Sequence, residues 1–423
     1  MGIDVISLIV FVACIALFIW DRLPMATTAI LGCAAMVIFG VCDFKVAFGQ
    51  FASSTVILTI GVMIIGAAIS ETGLAAAVGA WIVKVSKGSE KKLLIGTYLV
   101  SAVMSAFLTN SAVLAIFIPI IMGLSQSNEK IKAKNLIMPI AYGCVIGGAS
   151  TLVGSTQQMT AQGLLEEAGL RTFKTFDFSL VGGILIILGL LYCLFIGYKR
   201  GEKIWGNDES GDSDYQFPAP AEAKSRTKMI IMAVIFVATV VLYITEWLPL
   251  AITSTTAALL CIITGCITQK KSIVSVNWNI VGRLAGCLGL AKALEAAGGT
   301  KLIADFFSWL VGDSISPYLL FCILILLVQI TSQFISNSTA ILIVLPIVLA
   351  IAPELGLNTY AFTLGVTIAS GMALSCPLAS STLGMSMSVG YKFNDYFKYS
   401  IFFDILAYIT IIITVPLIYG LGA

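Results

Sequence analysis

Long hydrophobic runs separated by short polar breaks occupy almost the whole chain. A helix needs about 20 consecutive apolar residues to cross a bilayer, and eight runs come close to that length. They cover 4–20, 24–42, 53–71, 177–198, 229–245, 248–268, 277–295 and 397–420. The pattern predicts an all-α polytopic membrane protein.

Two longer apolar regions carry a polar cluster at their centre. Region 92–126 contains Thr109-Asn110-Ser111, and region 317–350 contains Ser336-Asn337-Ser338. A buried asparagine is costly at bilayer depth unless it has partners. We therefore interpret each region as a re-entrant hairpin with the polar cluster at its tip.

Regions 133–166 and 357–391 are interrupted by Gly, Ser and Thr near their centres, which predicts a broken helix in each. Unwound backbone at bilayer depth is tolerated only where protein or a cavity surrounds it. Two short amphipathic stretches, 74–87 and 301–311, are predicted to lie in the membrane interface.

The two halves of the chain repeat each other. Leu23-Pro24 matches Leu248-Pro249, and Asn110 and Asn337 each precede a proline by nine residues. Ordered matches of this kind indicate an internal repeat. We divide the chain into a first repeat (1–200), a linker (201–228) and a second repeat (229–423). Each repeat then has five transmembrane helices plus a re-entrant hairpin, and the odd number of crossings makes the two repeats inverted.

The composition supports a membrane protein and excludes several functions. Hydrophobic residues make up 59% of the chain and charged residues 11%, against about 45–50% and 25% in soluble domains. A net charge of +2 gives no reason to expect nucleic acid as a partner. The chain has no histidine, and its 10 cysteines are scattered singly, so neither a resident metal nor a disulfide is expected.

The basic residues predict the orientation. On a ten-span topology, 19 of the 24 lysines and arginines share the side of the linker, which is therefore cytoplasmic. Both termini are then outside the cell membrane. Arg283 and Asp404 fall towards the ends of their spans, where we expect their charged groups to snorkel to the interface.

The hairpin tips have the chemistry of an anion site. Each would begin a half-helix whose free backbone N–H groups and positive dipole end face a common point. The competing interpretation is that Ser, Thr and Asn only join helices and Gly allows close packing. Because the two clusters match across the repeats, we favour the binding site.

The runs Ser105-x3-Thr109-Asn110-Ser111 and Ser332-x3-Ser336-Asn337-Ser338 resemble the paired Ser-Asn-Thr signatures of the divalent anion:sodium symporter family, within the ion transporter superfamily. The resemblance implies a sodium-coupled secondary transporter of di- or tricarboxylates, homodimeric and of elevator type, with no cofactor beyond the coupling ions. It implies sodium ligands at Ser105, Thr109, Asn110, Gly154, Ser332, Asn337 and Ala379. It implies substrate contacts at Asn110, Ser111, Ser155, Ser336, Asn337, Ser338 and Ser380.

The chain departs from that family at Thr156-Gln157-Gln158, where members commonly have Pro-Pro-Asn, and both signatures end in serine instead of threonine. These departures leave the anion open, with sulfate or an arsenite-like oxyanion as alternatives. A dicarboxylate exchanger without sodium coupling and a membrane subunit of a larger transport complex are further alternatives. No nucleotide-binding or intramembrane-protease motif is present, so we expect no enzyme activity.

The topology makes a direct prediction: Lys130 and Lys203 face the cytoplasm. In a variant whose own reactive cysteines are replaced by serine, Lys203→Cys should react with an impermeant maleimide only after cells are opened. Lys174→Cys, on the predicted outer side, serves as the positive control in intact cells. Labelling of Lys203→Cys in intact cells would reverse the orientation.

Overall fold

The computed structural model describes residues 2–20, 23–86, 89–127, 131–205, 225–303, 305 and 316–422. Within these residues the regular structure is helical, and the only β-type pairing is an isolated bridge between Leu357 and Gly422. The prediction of an all-α fold is confirmed.

The described part of the first half contains eleven α-helices. They are α1 (Ile3–Trp20), α2 (Met25–Ile38), α3 (Phe44–Phe48), α4 (Ser54–Glu71), α5 (Leu74–Ser86), α6 (Glu90–Ser105), α7 (Asn110–Ser127), α8 (Ala133–Gly148), α9 (Thr156–Glu167), α10 (Ser179–Tyr192) and α11 (Tyr198–Trp205). A π-helical turn, Cys193–Gly197, joins α10 to α11 without a break.

The described part of the second half follows the same order. Its helices are α12 (Arg226–Thr245), α13 (Leu250–Ile263), α14 (Gln269–Ser275), α15 (Trp278–Ala296), α16 (Pro317–Phe334), α17 (Asn337–Glu354), α18 (Thr359–Gly371), α19 (Ser381–Ser386) and α20 (Phe393–Tyr419). The broken helices are therefore confirmed as α8 followed by α9, and α18 followed by α19.

The repeat extends to single turns of backbone. Pro24 and Pro249 precede α2 and α13 with φ of −54° and −53°. After α4 and α15 the chain turns at Gly73 and Gly298, both with φ of 79°. Only glycine enters that left-handed region at little cost. The same local chemistry therefore ends the same helices in both halves.

The halves also exchange contacts reciprocally. Helix α4 packs along α13, and α15 packs along α2. Small residues allow both approaches: a Cβ on Gly61 would lie 2.8 Å from the Cβ of Ser254, and one on Gly286 would lie 2.8 Å from that of Ala29. The contact of α4 with α13 is thus equivalent to the contact of α15 with α2, as a two-fold relation between the halves requires.

Fewer helices have the length of a full span than the sequence pattern suggested. In the described part of the chain, six helices are long and apolar enough to cross a membrane, or seven if the pair α14 and α15, bent by 55°, forms one span. The predicted count was ten spans and two hairpins. Several apolar runs are shorter as helices, such as α2 and α13, because the chain unwinds or turns at Gly and Pro. The six or seven helices that are long and apolar enough to cross a membrane indicate a multi-pass membrane protein.

Some predicted segments fall outside the described residues. The linker 201–228 coincides largely with 206–224, which is not described; its first residues lie in α11 and its last in α12. Lys130 and most of 301–311 are also outside. The other amphipathic stretch forms α5, and Lys203 lies in α11.

Because α15 approaches α3 closely at Gly289, we predict that adding one methyl group there destabilises the protein. A Cβ on Gly289 would come within 2.0 Å of the Ala47 carbonyl oxygen, so Gly289→Ala forces backbone apart and should destabilise the protein by about 1–3 kcal/mol. Gly183 in α10 has open space around it, so Gly183→Ala is the matched control. Thermal unfolding of the purified variants checks this, and equal melting temperatures would contradict the packing.

Candidate functional site

Four helices begin close together in the molecule: α7 at Asn110, α9 at Thr156, α17 at Asn337 and α19 at Ser381. Ser155 and Ser380 precede α9 and α19 in the same extended conformation, with φ of −141° and −142°. An extended residue before a helix leaves the first N–H groups of that helix free of intrahelical partners.

Contacts between side chains and backbone link these four N-termini into a ring. Ser111 Oγ lies 2.9 Å from Ser381 Oγ, which joins α7 to α19. Thr156 Oγ1 lies 2.7 Å from Ser338 Oγ, which joins α9 to α17. The two hydroxyl pairs are equivalent under the two-fold relation of the repeats. Each connects the hairpin tip of one repeat to the broken helix of the other.

The ring closes through the two asparagines. The side chain of Asn110 lies 3.2 Å from Ser155 Oγ and so joins α7 to α9. The Asn337 backbone N–H donates to the Ala379 carbonyl at 3.2 Å and so joins α17 to the segment before α19. We call this arrangement the N-terminal ring: the starts of α7, α9, α17 and α19.

Asn110 sits in a cage of oxygen atoms. We assign its amide orientation from the surrounding hydrogen-bond partners. The amide nitrogen then lies 3.3 Å from the Cys144 carbonyl, 3.2 Å from the Gly154 carbonyl and 2.6 Å from Ser105 Oγ. Its oxygen then accepts from Ser155 Oγ. We call these oxygens the first cage.

Asn337 has the equivalent surroundings. Its amide nitrogen lies 2.8 Å from the Ala379 carbonyl, 2.8 Å from Ser332 Oγ and 3.2 Å from the Ser370 carbonyl. Ser332 Oγ also donates to the Ser370 carbonyl at 2.7 Å. This second cage and the first cage are each built from a hairpin serine, a tip asparagine and carbonyls at a helix break.

A buried carboxylate holds the second helix break. Asp404 on α20 is 5% exposed and accepts from the backbone N–H groups of Leu374 and Ser375 at 3.2 and 3.1 Å. Gln333 Nε2 donates to it at 2.6 Å. The expectation that Asp404 snorkels is therefore wrong. The first repeat uses a neutral group at the corresponding place, where Ser179 Oγ donates to the Ser150 carbonyl.

One basic side chain lies nearer to a hairpin tip than the sequence suggested. Arg283 Nη1 contacts Met25 Sδ at 3.7 Å, and the same sulfur contacts Thr339 Oγ1 at 3.0 Å, three residues into the second tip. Arg283 is half-buried. Among the described residues, no carboxylate forms an ion pair with it.

Most of the predicted site residues come together, but they have different tasks. Ser105, Gly154, Ser332 and Ala379 contribute to the cages, and Ser111 and Ser338 join the repeats. Ser336 and Ser380 cap helices, accepting from Thr339 N at 3.3 Å and Thr382 N at 3.3 Å. The Thr109 carbonyl starts α7 by accepting from the N–H groups of Ala112 and Val113.

Sequence reasoning missed three ring residues: Thr156, Ser381 and Thr382. Thr382 Oγ1 lies 3.2 Å from Ser111 Oγ. The repeat itself contained the signal, because the residue after Gly154-Ser155 matches the residue after Ala379-Ser380. A contact between the tip of one repeat and the broken helix of the other was not visible from spacing alone.

The sequence model of the citrate transporter family matches residues 15–316, well over half of the chain. The chain belongs to this family. The expected membership of the ion transporter superfamily, with likeness to the divalent anion:sodium symporters, is confirmed.

Individual relatives are also transporters. The chain is 30% identical to the uncharacterized transporter YfbS of Escherichia coli over 184 residues, which span 44% of this chain but 30% of that protein. It is 21% identical to the sodium-dependent dicarboxylate transporter SdcS of Staphylococcus aureus, over 90% of this chain and 78% of that one. The crystal structure of the YdaH transporter of Alcanivorax borkumensis has the same fold, with a TM-score of 0.67 at 13% identity over 90% of this chain and 89% of that chain.

The role of Asp404 in holding the helix break predicts a loss of stability. Asp404→Ala leaves the N–H groups of Leu374 and Ser375 without an acceptor, at about 1–3 kcal/mol for each buried group. The melting temperature of the purified protein should fall by several degrees. Asp404→Asn keeps one acceptor oxygen and should lose less. A wild-type melting temperature for Asp404→Ala would contradict the assignment.

Proposed function

We propose that the protein is a secondary active transporter of small di- or tricarboxylates, coupled to sodium, with the N-terminal ring as its anion site. The observation that carries the proposal is the closed ring of contacts that brings the starts of α7, α9, α17 and α19 together. Three of these helices have 12 to 18 residues, and α19 is short.

Helix N-termini suit an anion for two reasons. Their first N–H groups lack intrahelical acceptors, and each macrodipole places a partial positive charge at that end. A carboxylate at the ring would accept from several N–H groups and hydroxyls at once. Broken helices that aim their N-terminal ends at an anionic group near the bilayer midplane are a recurring arrangement in secondary transporters.

The two cages supply what the helix ends lack. Partial charges do not neutralise a dianion, and no lysine or arginine belongs to the ring itself. If the Asn110 amide rotates by half a turn, its oxygen joins Ser105 Oγ and the carbonyls of Gly154 and Cys144 as a set of hard ligands. Asn337, Ser332, Ala379 and Ser370 offer the same set. We assign one sodium ion to each cage, in accord with the use of unwound carbonyls for sodium in such transporters.

The relatives support the class of substrate. The family is described as citrate transporters, and SdcS is named as a sodium-dependent dicarboxylate transporter. A di- or tricarboxylate therefore agrees with both the ring and the relatives, while the anion within that class stays open.

The transport movement is also part of the proposal. The reciprocal packing of α2 with α15 and α4 with α13 would form the fixed scaffold. The hairpins and broken helices would move past it in elevator fashion, within a homodimer in the cell membrane. The proposal also includes the division of the chain by the linker 201–228. The linker lies in the cytoplasm and both termini lie outside the cell.

Uptake of radiolabelled succinate and citrate into proteoliposomes tests the function. We expect accumulation driven by an inward Na⁺ gradient. Uptake only against internal dicarboxylate would make the protein an exchanger. Uptake of neither anion, with uptake of labelled sulfate or arsenite, would move the substrate outside the carboxylates.

The cages make a separate prediction. Asn110→Ala and Asn337→Ala should each reduce sodium-driven uptake by at least about tenfold while the protein stays folded in the membrane. Asn358→Ala is the control, because Asn358 caps the N-terminal end of α18, opposite the helix break, by accepting from the Ala361 N–H. Near-normal sodium-driven uptake by both Asn110→Ala and Asn337→Ala would refute the assignment of a sodium ion to each cage.

A further inference from the structure

Gln157 carries a buried amide nitrogen without a hydrogen-bond partner in the described part of the chain. The residue is 3% exposed, so its amide is shielded from bulk water. Burying an unpaired donor costs free energy. Unpaired buried groups are rare in native proteins, and each calls for an explanation.

The position of Gln157 links it to the ring. It directly follows Thr156, whose hydroxyl contacts the tip residue Ser338 at 2.7 Å. Its amide nitrogen lies over the end of α18: a Cβ on Gly371 would come within 2.9 Å of that nitrogen and 3.5 Å of the Ala149 Cβ. The unpaired donor therefore lies between the two helix breaks.

The second repeat shows what this position does. Thr156 and Ser381 each open a broken helix, so Gln157 corresponds to Thr382. Thr382 contacts the tip of the first hairpin through Ser111, at 3.2 Å. By the two-fold relation, Gln157 is the residue of the first repeat equivalent to Thr382, with a longer side chain and an amide in place of a hydroxyl. It follows Thr156, which contacts the second tip at Ser338.

We propose that Gln157 is a substrate-contact residue that determines which anion is bound. Its side-chain N–H group donates to a carboxylate oxygen of the substrate that the helix N-termini do not bind. The inference rests on the proposed function and adds to it. The two halves of the ring therefore offer different donors at this position, an amide N–H in the first repeat and a hydroxyl in the second.

Two other glutamines on α9, Gln158 and Gln162, serve as controls that distinguish substrate binding by Gln157 from a structural role. Gln162 is also buried on α9, but it is paired, because its Oε1 accepts from the Phe173 N–H at 2.8 Å. Gln158 is buried and unpaired, but its counterpart Leu383 belongs to the hydrophobic core. The inference does not include Gln158, because the equivalent position of the second repeat has no polar group.

The experiment compares Gln157→Leu, Gln157→Thr, Gln158→Leu and Gln162→Leu in proteoliposomes and in thermal unfolding. Gln157→Leu should keep or raise the melting temperature without ligand, since it removes an unpaired donor. It should raise KM for the carboxylate about tenfold or more, as expected for a lost hydrogen bond to a charged group. Gln157→Thr should change the KM ratio of citrate to succinate. Gln158→Leu should leave KM unchanged, and Gln162→Leu should lower the melting temperature without changing KM.

An unchanged KM for Gln157→Leu, whatever its melting temperature, would refute the role of Gln157 and leave the proposed function intact. A KM that rises equally in Gln157→Leu and Gln158→Leu would also refute it, because the effect would then come from altered packing of α9. Wild-type protein that takes up neither succinate nor citrate under any gradient would refute the carboxylate assignment and the inference with it.

Discussion

A helix that begins inside a membrane protein leaves free N–H groups where water is scarce, and the rest of this structure depends on how they are satisfied. Four helices begin at one place here. Serine side chains of the same repeat cap two of these ends, as Ser336 does for Thr339 N and Ser380 for Thr382 N. Hydroxyl pairs, Ser111 with Ser381 and Thr156 with Ser338, join the ends of the two repeats. The remaining donors and the dipoles of the longer helices make the same place suitable for an anion.

The two-fold repeat explains why four ends meet at all. One hairpin and one broken helix supply two N-termini, and reciprocal packing brings the copies from the other half against them. The exceptions to the symmetry are informative. Asp404 replaces Ser179 at the second helix break, and Gln157 replaces Thr382 in the ring. The N-terminal ring and its surroundings are therefore symmetric in their helices and asymmetric in these two side chains.

Much of this arrangement could be predicted from the sequence because it repeats. The matched clusters around Asn110 and Asn337 coincide with the starts of α7 and α17. The breaks after α8 and α18 follow from Gly and Ser within apolar runs. Contacts between repeats could not be predicted, since spacing along the chain does not show which helix of the other half a tip will meet. Asp404 was misjudged for the same reason: its partners, Leu374 and Gln333, are distant in sequence. Apolar length also does not show where a helix unwinds, so several apolar runs contain helices shorter than the run, as α2 and α13 do.

The decisive measurement is a structure of the protein in lipid nanodiscs with saturating Na⁺ and a heavy-atom-labelled dicarboxylate such as bromosuccinate. We expect density for the anion between Ser111 and Ser338, in contact with the starts of α7, α9 and α17. We also expect one ion in each cage, with the amide oxygens of Asn110 and Asn337 turned towards it. Anion density elsewhere in the molecule, with the N-terminal ring closed and empty, would contradict the proposed anion site.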